Sequence, residues 1–205
     1  MSWLKKEWDE CSTFFIKDLL IPSFIVGAVF FVIGALVWVY LTFNEEVMIA
    51  GYNWLMSIFE QKGIDAETIS AMALFKNNAQ ACLSCMLLGM IPFFFIDTLP
   101  LITNAASIGI MGPIYLHNNI SLLAFVAGLL PHGIFELPAI FISLAIGYKT
   151  CLLLTKFICR NGSVAALKEY AFNVLRVYVL LVIPLLVVAA LIEAYITPIC
   201  MQFFL

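Results

Sequence analysis

The sequence predicts an all-α fold, a polytopic membrane bundle of about five transmembrane helices with a broken central helix and an N-terminal amphipathic helix at the membrane surface. Three observations lead to this prediction. Of the 205 residues, 64% are apolar and only 11% are charged. The mean hydropathy is +1.07, which is typical of integral membrane proteins rather than of soluble domains. Long uncharged runs recur along the chain, and prolines interrupt the longest of them.

Residues 1–18 are predicted to form the amphipathic helix. Trp3, Trp8 and Cys11 recur at helical spacing, and charged side chains occupy most of the other positions. The uncharged run that follows, residues 19–43, is long enough to cross a membrane. Because this run is too long and the leading segment too acidic for a cleaved signal peptide, we expect a permanent membrane anchor.

The remainder, residues 19–205, is expected to form one transmembrane domain. Its predicted spans are, in chain order, residues 19–43, 79–97, 101–116, 121–148 and 174–197. The third span is short and contains glycines, so both a crossing and a re-entrant turn fit its composition. A crossing agrees better with the charge distribution.

The charge distribution orients the predicted bundle. Residues 45–78 carry five acids and two bases, whereas residues 149–176 carry five bases and one acid. Since Lys and Arg concentrate in cytoplasmic loops, the N-terminus and the basic segment are predicted to be cytoplasmic. The C-terminus is then extracytoplasmic. This arrangement needs an odd number of crossings, which five spans provide.

The stretch at 121–148, SLLAFVAGLLPHGIFELPAIFISLAIGY, is the centre of the predicted fold. As a single helix it would measure about 42 Å, longer than a hydrocarbon core of about 30 Å. Pro131 and Pro138 oppose helical hydrogen bonding, and Gly133 loosens the same turns. We therefore predict two half-helices that meet near residues 130–133. His132 and Glu136 share one helical face, where each must be paired, protonated or turned toward protein.

Catalytic and cofactor motifs do not stand out. Cys82 and Cys85 form a C-x-x-C pair within an apolar helix, which favours small-residue packing over metal or redox chemistry. His132 and Glu136 supply only two of the three protein ligands that catalytic zinc usually takes. The patterns H-E-x-x-H, G-x-S-x-G and the P-loop do not occur. We expect no catalytic residue, no metal site, no cofactor and no nucleic-acid partner.

Four short elements together resemble the stage II sporulation protein M family. They are FKNN at 75–78, Asn104 followed by small residues and Gly109, LLPHGIFELPAI at 129–140, and IEAYITP at 192–198. The resemblance covers roughly residues 70–198, and the His-Gly then Glu-Leu-Pro element is its most specific part. It implies a multi-pass protein of the cell envelope. The sporulation member anchors stage II sporulation proteins D and P, which remodel peptidoglycan.

The resemblance carries six polar positions onto this chain, and we interpret them as an intramembrane polar network: Asn77, Asn78, Asn104, His132, Glu136 and Glu193. By themselves, the paired amides at 77 and 78 also fit a solvated or capping role. Glu193, near the outer end of its span, could simply reach the lipid headgroups.

Two functions from different classes fit these observations. The first is a non-enzymatic membrane scaffold whose partners are the lipid bilayer and envelope membrane proteins or peptidoglycan-remodelling enzymes. This role is also compatible with a homo-oligomer of the chain. The alternative is a small-solute or ion transporter or channel with its site around His132 and Glu136, because many transporters build a midplane site at a discontinuous helix. An intramembrane hydrolase is a third, weaker reading.

Overall fold

The computed structural model describes residues 3–61, 70–160 and 162–204, and this part of the chain contains helices but no strands. The prediction of an all-α fold is confirmed. In chain order the helices are α1 (Trp3–Phe14), α2 (Leu20–Thr42), α3 (Glu45–Gln61), α4 (Ala71–Leu88), α5 (Thr98–His117), α6 (Leu122–Arg160), α7 (Val164–Val177), α8 (Ile183–Tyr195) and α9 (Thr197–Gln202).

Within the described ranges, four helical stretches are long and apolar enough to cross a membrane: Trp3–Thr42, Thr98–His117, Leu122–Cys159 and Val164–Tyr195. Each contains most of one predicted span. The predicted span at 79–97 is not among them, so the count of five is not confirmed. Helix α4 ends at Leu88, and its first half carries the polar residues Lys76, Asn77 and Asn78.

The N-terminal helix continues directly into the first span. A π-helical turn, Phe15–Leu19, joins α1 to α2 without a loop. Such a turn adds a residue locally and redirects the side chains that follow it. The boundary drawn at residue 18 therefore falls inside a continuous helix. Trp3 and Trp8 are exposed, whereas Cys11 is buried.

The predicted break in the central stretch is not confirmed, and the interpretation is corrected here. Helix α6 is continuous from Leu122 to Arg160, with Pro131 and Pro138 inside it. A proline removes one helical hydrogen bond and favours a kink, but neighbouring helices and local adjustments allow a membrane helix to continue through it. Helices α2, α4, α5, α8 and α9 all contact α6. No half-helix N-terminus therefore lies between residues 130 and 133.

Small residues let the helices approach closely and reveal their relative directions. Gly109 of α5 lies against Gly34 of α2, and Gly112 lies against Trp38, so α2 and α5 run parallel. A Cβ at either α5 glycine would collide with α2, which explains why only glycine fits this contact.

Helices α4 and α6 are joined in the same way. Gly89, directly after α4, touches Gly147 of α6 so closely that a Cβ on either residue would meet the backbone of the other segment. The return helices run opposite to α6, because Tyr170 of α7 donates to the carbonyl of Ile146 while Met201 of α9 covers Gly128. Helix α6 is thus the hub of the bundle. Six of its residues between 139 and 146 are buried hydrophobics, namely Ala139, Ile140, Ile142, Leu144, Ala145 and Ile146.

Candidate functional site

Helix α6 presents His132 and Glu136 on one face. They are one turn apart, and the continuity of α6 through this region fixes their common direction. Both side chains are partly buried. They line a cavity of about 130 Å³ together with Asn104 of α5 and Gly133. This part of the polar set is therefore partly shielded by protein.

Glu193 of α8 joins these two residues. His132, Glu136 and Glu193 each offer one potential ligand atom, and these atoms lie within 4.8 Å of one another. Oε2 of Glu193 is buried and has no hydrogen-bond partner. One interpretation of the sequence was that Glu193 extends to the lipid headgroups at the outer end of its span. In the structure, the carboxyl group of Glu193 instead lies beside His132 and Glu136.

A threonine that sequence reasoning missed completes the histidine environment. Thr197 begins α9 and is buried, and its Oγ1 lies 3.3 Å from Nδ1 of His132. This contact orients the imidazole ring. Thr197 belongs to the IEAYITP element, so its proximity in sequence to Glu193 was the available signal.

The asparagines lie around the same site. The Asn104 side-chain nitrogen donates to the carbonyl of Pro100 at 2.8 Å, and Asn104 lines the cavity. Asn78 of α4 lies near the carboxyl group of Glu136. Asn77 donates to Oδ1 of Asn78 at 3.3 Å and so contacts the cluster indirectly.

The residues predicted to break the helix have different surroundings. Gly133 lines the cavity beside the cluster. Pro138 instead lines an apolar groove with Gly27 and Phe31 of α2, away from the polar residues. Pro131 lies within α6 next to His132 and is partly buried. These three residues shape the hub helix and supply no polar group.

The charge of the cluster is unbalanced. Among the described residues, no Lys or Arg forms an ion pair with Glu136 or Glu193. Two carboxylates in a low-dielectric region repel each other and lose hydration, so they require a proton or a cation between them. The arrangement can therefore hold a proton or coordinate a metal ion.

A second ionic cluster, also missed by sequence reasoning, joins α1 to α7. Arg176 Nε lies 2.6 Å from Oε2 of Glu7, and its Nη2 lies 2.6 Å from Oε2 of Glu10. Its Nη1 donates to Asn173 at 2.8 Å. Here one guanidinium stands between two carboxylates, which is the geometry that favours charge-assisted hydrogen bonds.

Comparison with known protein families matches residues 23–198 to the family described as stage II sporulation protein M. The chain belongs to this family. The family resemblance inferred from the four sequence elements is thereby confirmed. For this stage II sporulation protein M family member, the match includes His132, Glu136, Glu193 and Thr197, whereas Glu7 and Glu10 of the second cluster precede it.

One similar protein comes from Methanocaldococcus jannaschii and is described as uncharacterized. It is 36% identical over 114 residues, which is 55% of this chain and 63% of the relative. The chain thus spans less than two thirds of that relative's length. No solved structure matches this stage II sporulation protein M family member. The family and the apolar helices together indicate a membrane protein.

Proposed function

We propose that this protein is a non-enzymatic integral membrane scaffold of the cell envelope that anchors or localises peptidoglycan-remodelling partners. The observation that carries the proposal is one polar cluster shared by four helices. His132 and Glu136 of α6 and Asn104 of α5 line a cavity of about 130 Å³, Glu193 of α8 lies within 4.8 Å of His132 and Glu136, and Thr197 of α9 contacts His132. Residues far apart in sequence are joined there. Such a cluster is well suited to fixing how helices are arranged.

Polar contacts between helices determine how specifically this bundle packs. In a bilayer an apolar side chain has about the same free energy against lipid as against another helix. Polar contacts therefore decide which helices associate. Each interhelical hydrogen bond contributes about 0.6 to 2 kcal/mol. The contact between His132 of α6 and Thr197 of α9 is a hydrogen bond of this kind, and it helps to hold the bundle in one arrangement that keeps its outer surfaces constant for a partner.

The proposed orientation has five crossings, a cytoplasmic N-terminus and an extracytoplasmic C-terminus. Helix directions support it, since α2, α5 and α8 run one way while α4 and α6 run the other. Charges also support it. Lys149 pairs with Asp18 at 3.0 Å, and Arg176 pairs with Glu7, so basic residues from distant segments gather at one end of the bundle.

Transport is the second candidate, because three ionisable side chains within 4.8 Å are able to bind an ion inside the membrane. The continuity of α6 weakens this candidate. A midplane substrate site at a half-helix N-terminus needs an interrupted helix, and α6 passes through residues 130–133 without interruption.

The scaffold is tested by isolating the intact protein from native membranes in mild detergent. A defined envelope protein is expected to co-purify with the wild type. His132→Ala and Glu136→Ala are expected to lower the folded yield and the recovered partner, while His117→Ala serves as a matched control because His117 is exposed at the end of α5. Normal yield and assembly in both site variants would contradict the proposal, and ion flux through liposomes carrying the protein would favour transport.

A further inference from the structure

The cluster of His132, Glu136 and Glu193 has the composition of a cation site. It offers one imidazole nitrogen and two carboxylate oxygens from two helices, all within 4.8 Å of one another. Atoms bound to one transition-metal ion at about 2.0 to 2.2 Å are separated by no more than about 4.4 Å, so small side-chain movements bring these three into ligand geometry. The sequence offered only two of these ligands, and the packing of α8 on α6 supplies the third.

A separate observation points to a missing partner. Oε2 of Glu193 is buried and accepts no hydrogen bond. Buried carboxylate oxygens are normally bonded, and an orphaned one indicates an unmet interaction. Because no Lys or Arg of the described ranges pairs with Glu136 or Glu193, the charge is also unmet.

We propose that His132, Glu136 and Glu193 bind one divalent first-row transition cation, represented here by Zn²⁺. Two carboxylates, a neutral imidazole and a divalent ion form a unit with no net charge, which lowers the penalty of holding carboxylates in a low-dielectric interior. The mixed nitrogen and oxygen donor set suits such ions better than Mg²⁺ or Ca²⁺, which prefer oxygen ligands alone.

The surroundings of the cluster support this assignment. Oγ1 of Thr197 lies 3.3 Å from Nδ1 of His132, which is the kind of outer contact that orients a metal-binding histidine. Asn104 also lines the cavity of about 130 Å³ beside His132 and Glu136, which has room for a water molecule to complete the coordination. The site is independent of the scaffold role, since a scaffold functions with or without an ion.

The test is equilibrium dialysis of the chelator-treated, full-length protein in mild detergent against Zn²⁺ alone, and then against Mn²⁺. We expect one equivalent of Zn²⁺ per wild-type chain. Glu193→Gln and His132→Gln should weaken the affinity at least tenfold, and Thr197→Val should weaken it about tenfold.

The matched control is the double variant His117→Ala, Glu45→Gln. It removes the exposed pair in which His117 Nδ1 lies 3.8 Å from Glu45 Oε1, and it should keep the full equivalent.

Any other result would contradict the proposed metal site. Failure of the folded wild type, verified by size-exclusion chromatography, to bind either ion would indicate that a proton neutralises Glu136 and Glu193. Unchanged Zn²⁺ affinity in Glu193→Gln, or loss of Zn²⁺ binding in the double control variant, would show that the ion binds at a different site. X-ray absorption of the Zn²⁺-loaded protein should show nitrogen and oxygen neighbours. Sulfur neighbours would assign the ion to cysteines such as Cys82 and Cys85, which are free thiols.

Discussion

Two clusters in this molecule each contain two carboxylates and one basic side chain, but their negative charges are balanced in different ways. In the α1–α7 cluster, Arg176 pairs with both Glu7 and Glu10 at 2.6 Å. In the α6–α8 cluster, His132 stands beside two carboxylates that lack an ion pair within the described ranges. The first cluster is complete by itself. The second depends on a bound cation or proton, and this difference marks it as the candidate functional site.

The surroundings of the two clusters differ as well. The Arg176, Glu7 and Glu10 side chains are 26%, 19% and 38% exposed, so water reaches them. The second cluster borders a small cavity and includes a buried oxygen that has no hydrogen-bond partner. Solvent screening weakens an ionic interaction at the first site far more than at the second.

Charge reversal in the α1–α7 cluster should have the largest effect. Arg176→Glu places three carboxylates together, and we expect a loss of about 2 to 3 kcal/mol in unfolding free energy, less than for a fully buried pair because water screens the site. Denaturant unfolding in mixed micelles measures this loss. Combining it with Glu7→Arg should restore at least half of the stability. An additive loss in the double variant would show that these residues do not interact.

Removal of a single carboxylate should affect the two clusters in opposite directions. Glu7→Gln removes half of a matched pair and should cost about 1 kcal/mol. Glu193→Gln, measured with chelator present, relieves repulsion and should leave stability unchanged or raise it by about 1 kcal/mol. Thermal unfolding of both variants gives the comparison. A loss at Glu193 equal to that at Glu7 would mean that Glu193 is already neutralised by a side chain.

Salt should separate the clusters by a smaller amount. We expect 1 M NaCl to reduce the stability difference between wild type and Arg176→Gln by about 0.5 kcal/mol, because the Debye length falls to about 3 Å. The difference between wild type and His132→Ala, measured with chelator present, should change less, because protein surrounds more of the His132 cluster and salt screens it less. Unfolding at low and high salt measures both differences. Equal salt sensitivity of the two stability differences would show that the two clusters are equally exposed to solvent.

The smallest effect is expected at an exposed pair on α1. Lys6 Nζ lies 3.8 Å from Oε1 of Glu10, and the Lys6 side chain is 74% exposed. Lys6→Ala should therefore change stability by no more than about 0.3 kcal/mol. The same unfolding assay applies. A cost comparable to that of Arg176→Gln would show that Glu10 depends on Lys6 rather than on Arg176.

Sequence reasoning was most successful where one helix determines the outcome. The spans predicted at 19–43 and 101–116 correspond closely to Leu20–Thr42 and Thr98–His117, because uncharged length alone defines them. The shared face of His132 and Glu136 also follows from helical periodicity. The family was likewise recognisable, since its short elements are local in sequence.

Features that depend on two helices were not accessible in the same way. The break near Pro131 was inferred from local backbone chemistry, whereas packing on several sides keeps α6 continuous. The depth of Glu193 depends on how α8 is aligned with α6, and Arg176 meets Glu7 across 169 positions of sequence. A single sequence carries no direct signal for such alignments.

The central claim is that His132 and Glu193 act as parts of one unit joining α6 to α8. A double-mutant cycle in Zn²⁺-saturated protein tests it most directly, with His132→Ala, Glu193→Gln and their combination compared by unfolding free energy. The account predicts that the double variant loses at least about 1 kcal/mol less than the sum of the single losses, because either change alone removes the shared ion. Losses that add within about 0.5 kcal/mol would contradict it.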